Sequence, residues 1–578
     1  MTTTEATQSI APSHHPTNSD SWSPTSWRSK AVKQDVTYPH PGSATKPVMD
    51  LAQVTKKLRV LPGLVSAVEI ERLKQQLADV AHGKAFLLQG GDCAELFSYC
   101  QSSPLDSKLK LLLLMSLIII WGARMPVVRV GRIAGQYAKP RSKPTEIVDG
   151  EEVLSFRGDN VNGYAINERA PDPERLLGAY FHSAATLNYI RSQLSSGFAD
   201  LHNPFTWSSS HVRSPALQAA FESIVDNLTD ALDFIRVVGA DPTAGSTATG
   251  GWVNGSLNSV DLWVSHEGLL LEYEEALTRS QTVPSRTPSK KTVAAADQTS
   301  PLQSPGGFGT RAATPVDAGT YGLARRTDHN NDTSEKPEKA YYNLGAHFIW
   351  IGDRTRNLDG AHVEYFRGIR NPIGIKVGPT MEPQELIRLL DIVNPLREAG
   401  RVTLICRYGA DKVESCLPDH IKAVQQTDHI VVFACDPMHG NTRTSEGGEV
   451  KTRHMADIVV ELSRSIRIHA SHGSRLGGVH LELTGEVDED GFSVTECVGG
   501  SMELEDKDLS RNYQTYCDPR LNYEQSLDIA FLISRYFQNE RRGRKTEDAI
   551  LTNLSLKSPH GPTSDAAKEE KARVASNS

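Results

Sequence analysis

Short, nearly continuous apolar runs recur along this chain at strand length: Ala85–Gln89, Pro126–Val130, Leu262–Ser265, His347–Ile351, Ile373–Val377, Val402–Cys406, Ile430–Cys435 and Val479–Leu483. Little polar alternation interrupts them, which is the pattern of parallel strands covered on both faces. Helix-length segments separate several of the later runs, among them Pro383–Leu396, Asp411–Gln426 and Lys451–Ala470, and helical spacing also runs from Ala67 to Val80. Alternating strands and helices predict an α/β fold. About eight such strands predict a (β/α)8 TIM barrel, here with an N-terminal extension and extra helical insertions. The longest apolar run, Leu111 to Ala123 behind Lys108 and Lys110, is shorter than the ~20 residues of a membrane span and reads as a buried helix.

Composition sets the boundaries. Residues 1–20 are rich in Ser, Thr and His without an apolar core, so a disordered tail is expected rather than a secretory signal. Residues 21–80 form the extension, an arm lying on the body followed by a helix. The barrel occupies 81–545, and its segments 243–259 and 282–337 are Gly/Ser/Thr/Pro-rich and expected to be disordered loops. A second loose tail is expected over 555–578. These stretches account for a hydrophobic content of 38%, below the ~45% of compact domains. With 62 basic against 70 acidic residues the net charge is −8, so no global field favours nucleic acid, and an anionic ligand needs a local basic pocket. Seven cysteines without a CxxC pair argue against a disulfide scaffold or zinc ribbon and suit a reducing, cytoplasmic setting, with organellar targeting left open.

The residues that follow the strands carry the chemistry. Gly90-Gly91-Asp92-Cys93 follows the first run, Arg132 the second, His266-Glu267 the third and Asp353-Arg354 the fourth. Lys376 ends the fifth, Arg407 follows the sixth, Asp436 and His439 follow the seventh, and Glu482 lies at the end of the eighth. Barrel active sites are built at the carboxyl ends of strands. Arg132, Arg354, Lys376 and Arg407, with Lys139-Pro140-Arg141-Ser142 nearby, gather cations that singly would be solvated or paired; together they point to a ligand with more than one anionic group. Cys93, His439, Glu482 and Asp518 are donors that suit a borderline divalent ion such as Mn²⁺, Co²⁺, Fe²⁺ or Zn²⁺. Their separations are long, so spacing alone establishes nothing, and a buried Cys is often simply core. The Gly90-Gly91 and Gly499-Gly500 pairs read either as anion-binding nests or as tight turns. Cys517 precedes Asp518, so its sulfur could approach Cys93 without metal, and a disulfide there would block metal binding.

With these motifs in view the sequence resembles the class II 3-deoxy-D-arabino-heptulosonate 7-phosphate (DAHP) synthases. The resemblance rests on Trp22-Ser23-Pro24 with Trp27-Arg28, on Phe86 to Glu95, on Arg132 to Ser142, on Arg157 to Asn160, on Ser265 to Gly268, on Arg354 to Arg356, on Lys376 to Pro379, on Asp436 to Asn441, on Lys451 to His454 and on Cys517 to Asn522. It implies Cys93, His439, Glu482 and Asp518 as ligands of one divalent metal ion, manganese or cobalt, with iron, zinc and cadmium as further candidates. It implies Arg132, Asp353, Arg354, Lys376 and Arg407 as phosphoenolpyruvate contacts. Lys139, Pro140, Arg141 and Ser142 then hold erythrose 4-phosphate. Glu95, Glu267 and Lys376 are the catalytic candidates. The same resemblance implies a homo-oligomer and an aromatic amino-acid effector. Asp353 stands where the family usually has Glu, Tyr408 where Met is common, and 282–337 is an atypical insert. These departures leave room for another aldose acceptor in a specialised pathway, or for a non-catalytic regulatory paralogue.

Overall fold

The computed structural model describes residues 22–39, 49–148, 150–196, 214–237, 261–284, 338–448 and 450–543. The expected loose segments 1–20, 243–259 and 555–578 lie outside the described residues, as does 282–337 from residue 285 onward. Residue 282 itself closes an ordered strand, Thr278–Thr282, so the insert begins later than composition suggests.

Eight strands close the barrel: β1 (Phe86–Gly91), β2 (Val127–Arg132), β3 (Trp263–Glu267), β4 (Phe348–Ile351), β5 (Ile373–Val377), β6 (Val402–Cys406), β7 (Val432–Cys435) and β8 (Gly478–Glu482). Each is hydrogen-bonded in parallel to its sequence neighbours, and β8 returns to β1. All eight coincide with the apolar runs, because strands wrapped by helices outside and filled inside cannot leave a polar face to water. The helices are α1 (Leu51–Val60), α2 (Ala67–Ala81), α3 (Ser102–Ala123), α4 (Glu174–Ser195), α5 (Pro215–Val237), α6 (Leu271–Ala276), α7 (Ala361–Gly368), α8 (Pro383–Val393), α9 (Val413–Gln425), α10 (Met455–Ser471) and α11 (Tyr523–Arg541). The apolar run from Leu111 lies in α3, which packs against α11. Among the described residues no helix is long and apolar enough to cross a membrane.

Period-two alternation sorts each strand into two faces. Leu87, Val128, Val130, Trp263, Phe348, Trp350, Ile405, Val432 and Ala434 fill the barrel interior. Leu73, Leu77 and Val80 of α2 join that same cluster, so α2 plugs the amino-terminal mouth. A capping box starts this helix: the Ser66 hydroxyl accepts from Glu69 N at 3.3 Å, and Glu69 Oε2 accepts from Ser66 N at 2.8 Å. Higher in the barrel the inward positions turn polar: Gln89 on β1, Arg132 on β2, Ser265 and Glu267 on β3, Lys376 on β5, and His480 and Glu482 on β8. Register places both Arg132 and Glu482 beside Gly91. Gly91 has φ +146°, and a Cβ there would lie 2.6 Å from the Arg132 carbonyl oxygen, so only glycine lets these strands meet.

Candidate active site

A cavity of about 520 Å³ opens at the carboxyl ends of the strands. Cys93, Arg132, Lys139, Pro140, Arg141, Ser142, Glu267, Asp353, Arg354, Lys376, Arg407, His439 and Asp518 all line it. Residues more than four hundred positions apart thus share one chamber. Glu482 sits just beneath, fully buried, with His439 Nε2 at 3.1 Å from its Oε1.

The thiol and carboxylate donors are tightly grouped, and the imidazole lies at their edge. One ligand atom each from Cys93, Glu482 and Asp518 lies within 4.8 Å of the others. His439 reaches this group through Glu482 and turns its other nitrogen, Nδ1, to Asp436 at 2.8 Å. Its Nε2 is thereby turned toward the carboxylate oxygen with which it would share a cation. The cluster already holds one positive charge: Lys139 Nζ lies 2.7 Å from Cys93 Sγ, 2.7 Å from Asp518 Oδ2 and 4.0 Å from Glu482 Oε1. The donor set therefore fits a divalent metal ion. Burial pushes the Cys93 thiol well up, reinforced by Cys517 and Glu482, so the thiolate form needs a nearby cation. Burial would also raise Glu482, but His439, Lys139, Arg453 and Arg132 outweigh it and hold the carboxyl well below its usual range. Cys517 is buried beside Cys93 and Phe156, and both sulfurs are free thiols.

The opposite wall is cationic. Arg132 donates to the Asp92 and Cys93 carbonyls at 2.8 and 3.0 Å and to Glu482 Oε1 at 2.9 Å, which fixes its guanidinium at the barrel axis. Its Nη1 also donates to His480 Nε2 at 2.6 Å. Burial, with Lys376 and Arg132 alongside, keeps that imidazole neutral, so it can accept. Lys376 pairs with the buried Asp436; burial nevertheless lowers its ammonium to about 8. Arg407 Nη1 meets Asp353 Oδ2 at 2.9 Å, and its Nη2 donates to the His439 carbonyl at 2.9 Å. Arg354 Nη2 donates to Ser142 Oγ at 2.8 Å, and Arg141 pairs with Glu146. Basic residues outnumber carboxylates around the chamber two to one, so its lining is net basic although the whole chain is acidic.

Glu95 stands apart from the cavity. It is buried, and its oxygens accept the backbone N–H groups of Ala134, Gly135 and Gln136 at 2.7–3.0 Å. That pattern shapes the loop carrying Lys139 and leaves little capacity for proton transfer. Glu267 does face the cavity, and removal from water pushes its carboxyl up, against the pull of Lys376, Lys139 and His439. The strand-end pattern does not reach several groups. Glu146 comes from the hairpin Thr145–Val148 and Glu151–Leu154, and Lys451 from the hairpin Thr442–Thr444 and Lys451–Arg453. Arg453, fully buried, forms an ion pair with Glu482, its Nη2 lying 2.8 Å from Oε2. Lys451 and Arg453 fall within a run that carries the family resemblance, which is the one sequence signal for them.

Residues 22–534 match the sequence pattern of the Class-II DAHP synthetase family. A protein of Neurospora crassa named phospho-2-dehydro-3-deoxyheptonate aldolase is 48% identical over 532 residues, covering 92% of this chain and 97% of that protein. One of the same name from Streptomyces coelicolor is 38% identical over 516 residues, covering 89% and 97%. The AroG protein of that name from Mycolicibacterium smegmatis is 39% identical over 484 residues, covering 83% and 89%. Since the match runs through every barrel strand and spans these relatives almost end to end, the chain belongs to the class-II DAHP synthetase family.

Proposed function

We propose that this protein condenses phosphoenolpyruvate with erythrose 4-phosphate and water to give DAHP and phosphate, opening the route to aromatic amino acids. The observation that carries the reading is the shared chamber: a metal-type donor set and a wall of guanidinium and ammonium groups enclose one 520 Å³ space. In this reading Arg132, Lys376 and Arg407 hold the carboxylate and phosphate of phosphoenolpyruvate. Asp353 steadies Arg407, and Arg354 bridges toward Ser142. Lys139, Pro140, Arg141 and Ser142 form the outer wall that receives the aldose phosphate. Fixing both anions at attack distance can contribute on the order of 7–11 kcal/mol to lowering the barrier.

The methylene carbon of phosphoenolpyruvate bonds to the aldehyde carbon, water adds to the enol-phosphate carbon, and phosphate leaves from that carbon. A divalent ion held by Cys93, His439, Glu482 and Asp518 would supply Lewis-acid polarisation of the aldehyde oxygen. Glu267 faces the chamber, and burial raises the proton affinity of its carboxylate, which suits it to take the proton of the adding water. Arg132 and Lys376 keep positive charge beside the substrate carboxylate and the departing phosphate. Self-association, control by an aromatic amino acid, and manganese or cobalt as the native ion belong to the same proposal.

The test is loss of phosphoenolpyruvate with release of phosphate, assayed with erythrose 4-phosphate and with other phosphorylated aldoses. Activity with erythrose 4-phosphate that EDTA abolishes and Mn²⁺ or Co²⁺ restores is the expected result. A clear preference for another aldose would reassign the acceptor. A folded, metal-binding protein inert with every aldose would indicate a regulatory paralogue.

A further inference from the structure

Asp436 follows β7 and is fully buried, between two groups that the proposed function uses for different purposes. Its carboxylate pairs with the Lys376 ammonium, at the inward face of β5. It also accepts His439 Nδ1–H at 2.8 Å through Oδ2, with Oδ1 at 3.0 Å. Two backbone groups complete the shell: Met438 N donates to Oδ1 at 3.1 Å and His439 N at 3.2 Å. Four N–H donors therefore converge on one carboxylate, matching the roughly four lone-pair sites that an ionised carboxylate offers. An amide would offer half that acceptor capacity and turn an N–H₂ toward the lysine or the imidazole. With Nδ1–H tied to Asp436, the ring presents Nε2 toward Glu482 Oε1, 3.1 Å away. An imidazole oriented this way through its second nitrogen is a pre-aimed metal ligand.

We propose that Asp436 is a positioning residue that aims His439 at the metal and Lys376 at the anionic substrate, so that one carboxylate sets the spacing between the two halves of the chamber. The proposal deepens the reading of the site given above and rests on His439 acting as a ligand. It assigns Asp436 no contact with metal or substrate. Its chain position makes the coupling mechanical: Asp436 is anchored to the barrel by its own N–H, which donates to the Cys406 carbonyl at 2.7 Å. The turn that carries His439 is wound directly around it. Displacement of the carboxylate would therefore shift His439 through both its backbone and its ring.

The experiment is metal binding by the full-length protein without substrate. Protein stripped with chelator is titrated with Mn²⁺ by calorimetry for wild type, D436N, K376M and the K376M/D436N double variant. The double variant carries the test should D436N alone fold poorly, because it removes both members of the buried charge pair together. The expected result is a Kd for Mn²⁺ raised about 10- to 100-fold in D436N and in the double variant. K376M, which keeps the carboxylate on His439, should stay within about threefold of wild type. In steady-state assays at saturating Mn²⁺, D436N and K376M should both show a raised KM for phosphoenolpyruvate. Wild-type Mn²⁺ affinity in D436N and in the double variant would overturn the proposal while leaving the proposed function standing. A K376M variant that loses as much metal affinity as D436N would also overturn it, since the effect would then follow the charge pair and not the aim of the imidazole. Absence of Mn²⁺ binding in the wild type would remove the metal-dependent reading itself and this inference with it.

Discussion

Arg132 touches the Asp92 and Cys93 carbonyls, His480 and Glu482 at once, and none of these contacts is visible from Arg132 in isolation. What the sequence does offer at this scale is position: an arginine two residues past the apolar run that ends at Val130. That signal also found Lys376, Arg407 and Glu482. Glu95, a catalytic candidate from the sequence, has its oxygens taken up by three backbone amides. Burial and neighbouring charges compete to set charge states here, and burial prevails at Asp528 in α11, which makes a prediction. This carboxyl is nearly inaccessible, and burial raises it to about 6 although Ser501 N donates to it at 2.9 Å. Its folded value lies above its unfolded one. The stability it contributes is therefore full at acidic pH and is lost as pH rises from about 4 through 6. Asp528→Asn, which stays neutral, should gain on wild type by on the order of 1–3 kcal/mol between pH 4.5 and 7.5. Urea denaturation at the two pH values reads this directly; a pH-independent difference would contradict the buried-carboxyl account.

At the level of elements, a continuous apolar run was enough to mark each barrel strand because both faces of a parallel strand are covered. The two-stranded hairpins were not legible. Thr442–Thr444 is exposed throughout, and Glu151–Leu154 is exposed at three of its four positions, so neither carries a hydrophobic period. The amphipathic spacing of α2 was legible, but its task was not. Leu73, Leu77 and Val80 sit with the barrel interior, an arrangement that only the closed sheet creates. Leu77 is fully buried there, and Leu77→Ala should destabilise the protein by about 2–5 kcal/mol. Because α2 lies at the mouth opposite the chamber, Mn²⁺ affinity should remain within about twofold of wild type under conditions where the variant is folded. Chemical denaturation and metal titration of one preparation separate the two effects. A large loss of metal affinity in folded protein would mean that the plug governs the far end of the barrel.

For the molecule as a whole, the long insert enters and leaves at one place. Thr282 and Lys339 are paired across the antiparallel hairpin, and Val283 N donates to the Glu338 carbonyl at 2.8 Å. The hairpin packs beside α2, where Tyr342 Oη donates to Glu71 Oε1 at 2.8 Å. No residue of 285–337 is needed to bridge the two strands, and closing a shorter loop changes the chain entropy only modestly. Replacing 285–337 by a four-residue turn should therefore leave kcat and Mn²⁺ affinity within about threefold and the denaturation midpoint nearly unchanged. A truncated protein that folds but loses turnover would assign the insert a catalytic task. The whole-molecule charge gives no hint of the chamber: the chain carries −8, while its cavity is lined by twice as many bases as acids.

From sequence alone came the strand count, the parallel α/β architecture and the family. These follow from periodicity and from long ordered motifs, both of which are local in the chain. It also pointed to the strand-end residues, because alternation and barrel geometry send every second side chain inward at a predictable end. The tertiary structure alone decided which of them meet. Cys93 and Asp518 come within reach of one another only because β8 closes on β1, and Asp436, which meets His439 within one turn, reaches Lys376 only because β5 and β7 present their ends to the same axis. Partners of this kind are fixed by packing across hundreds of residues, and no local spacing encodes that distance.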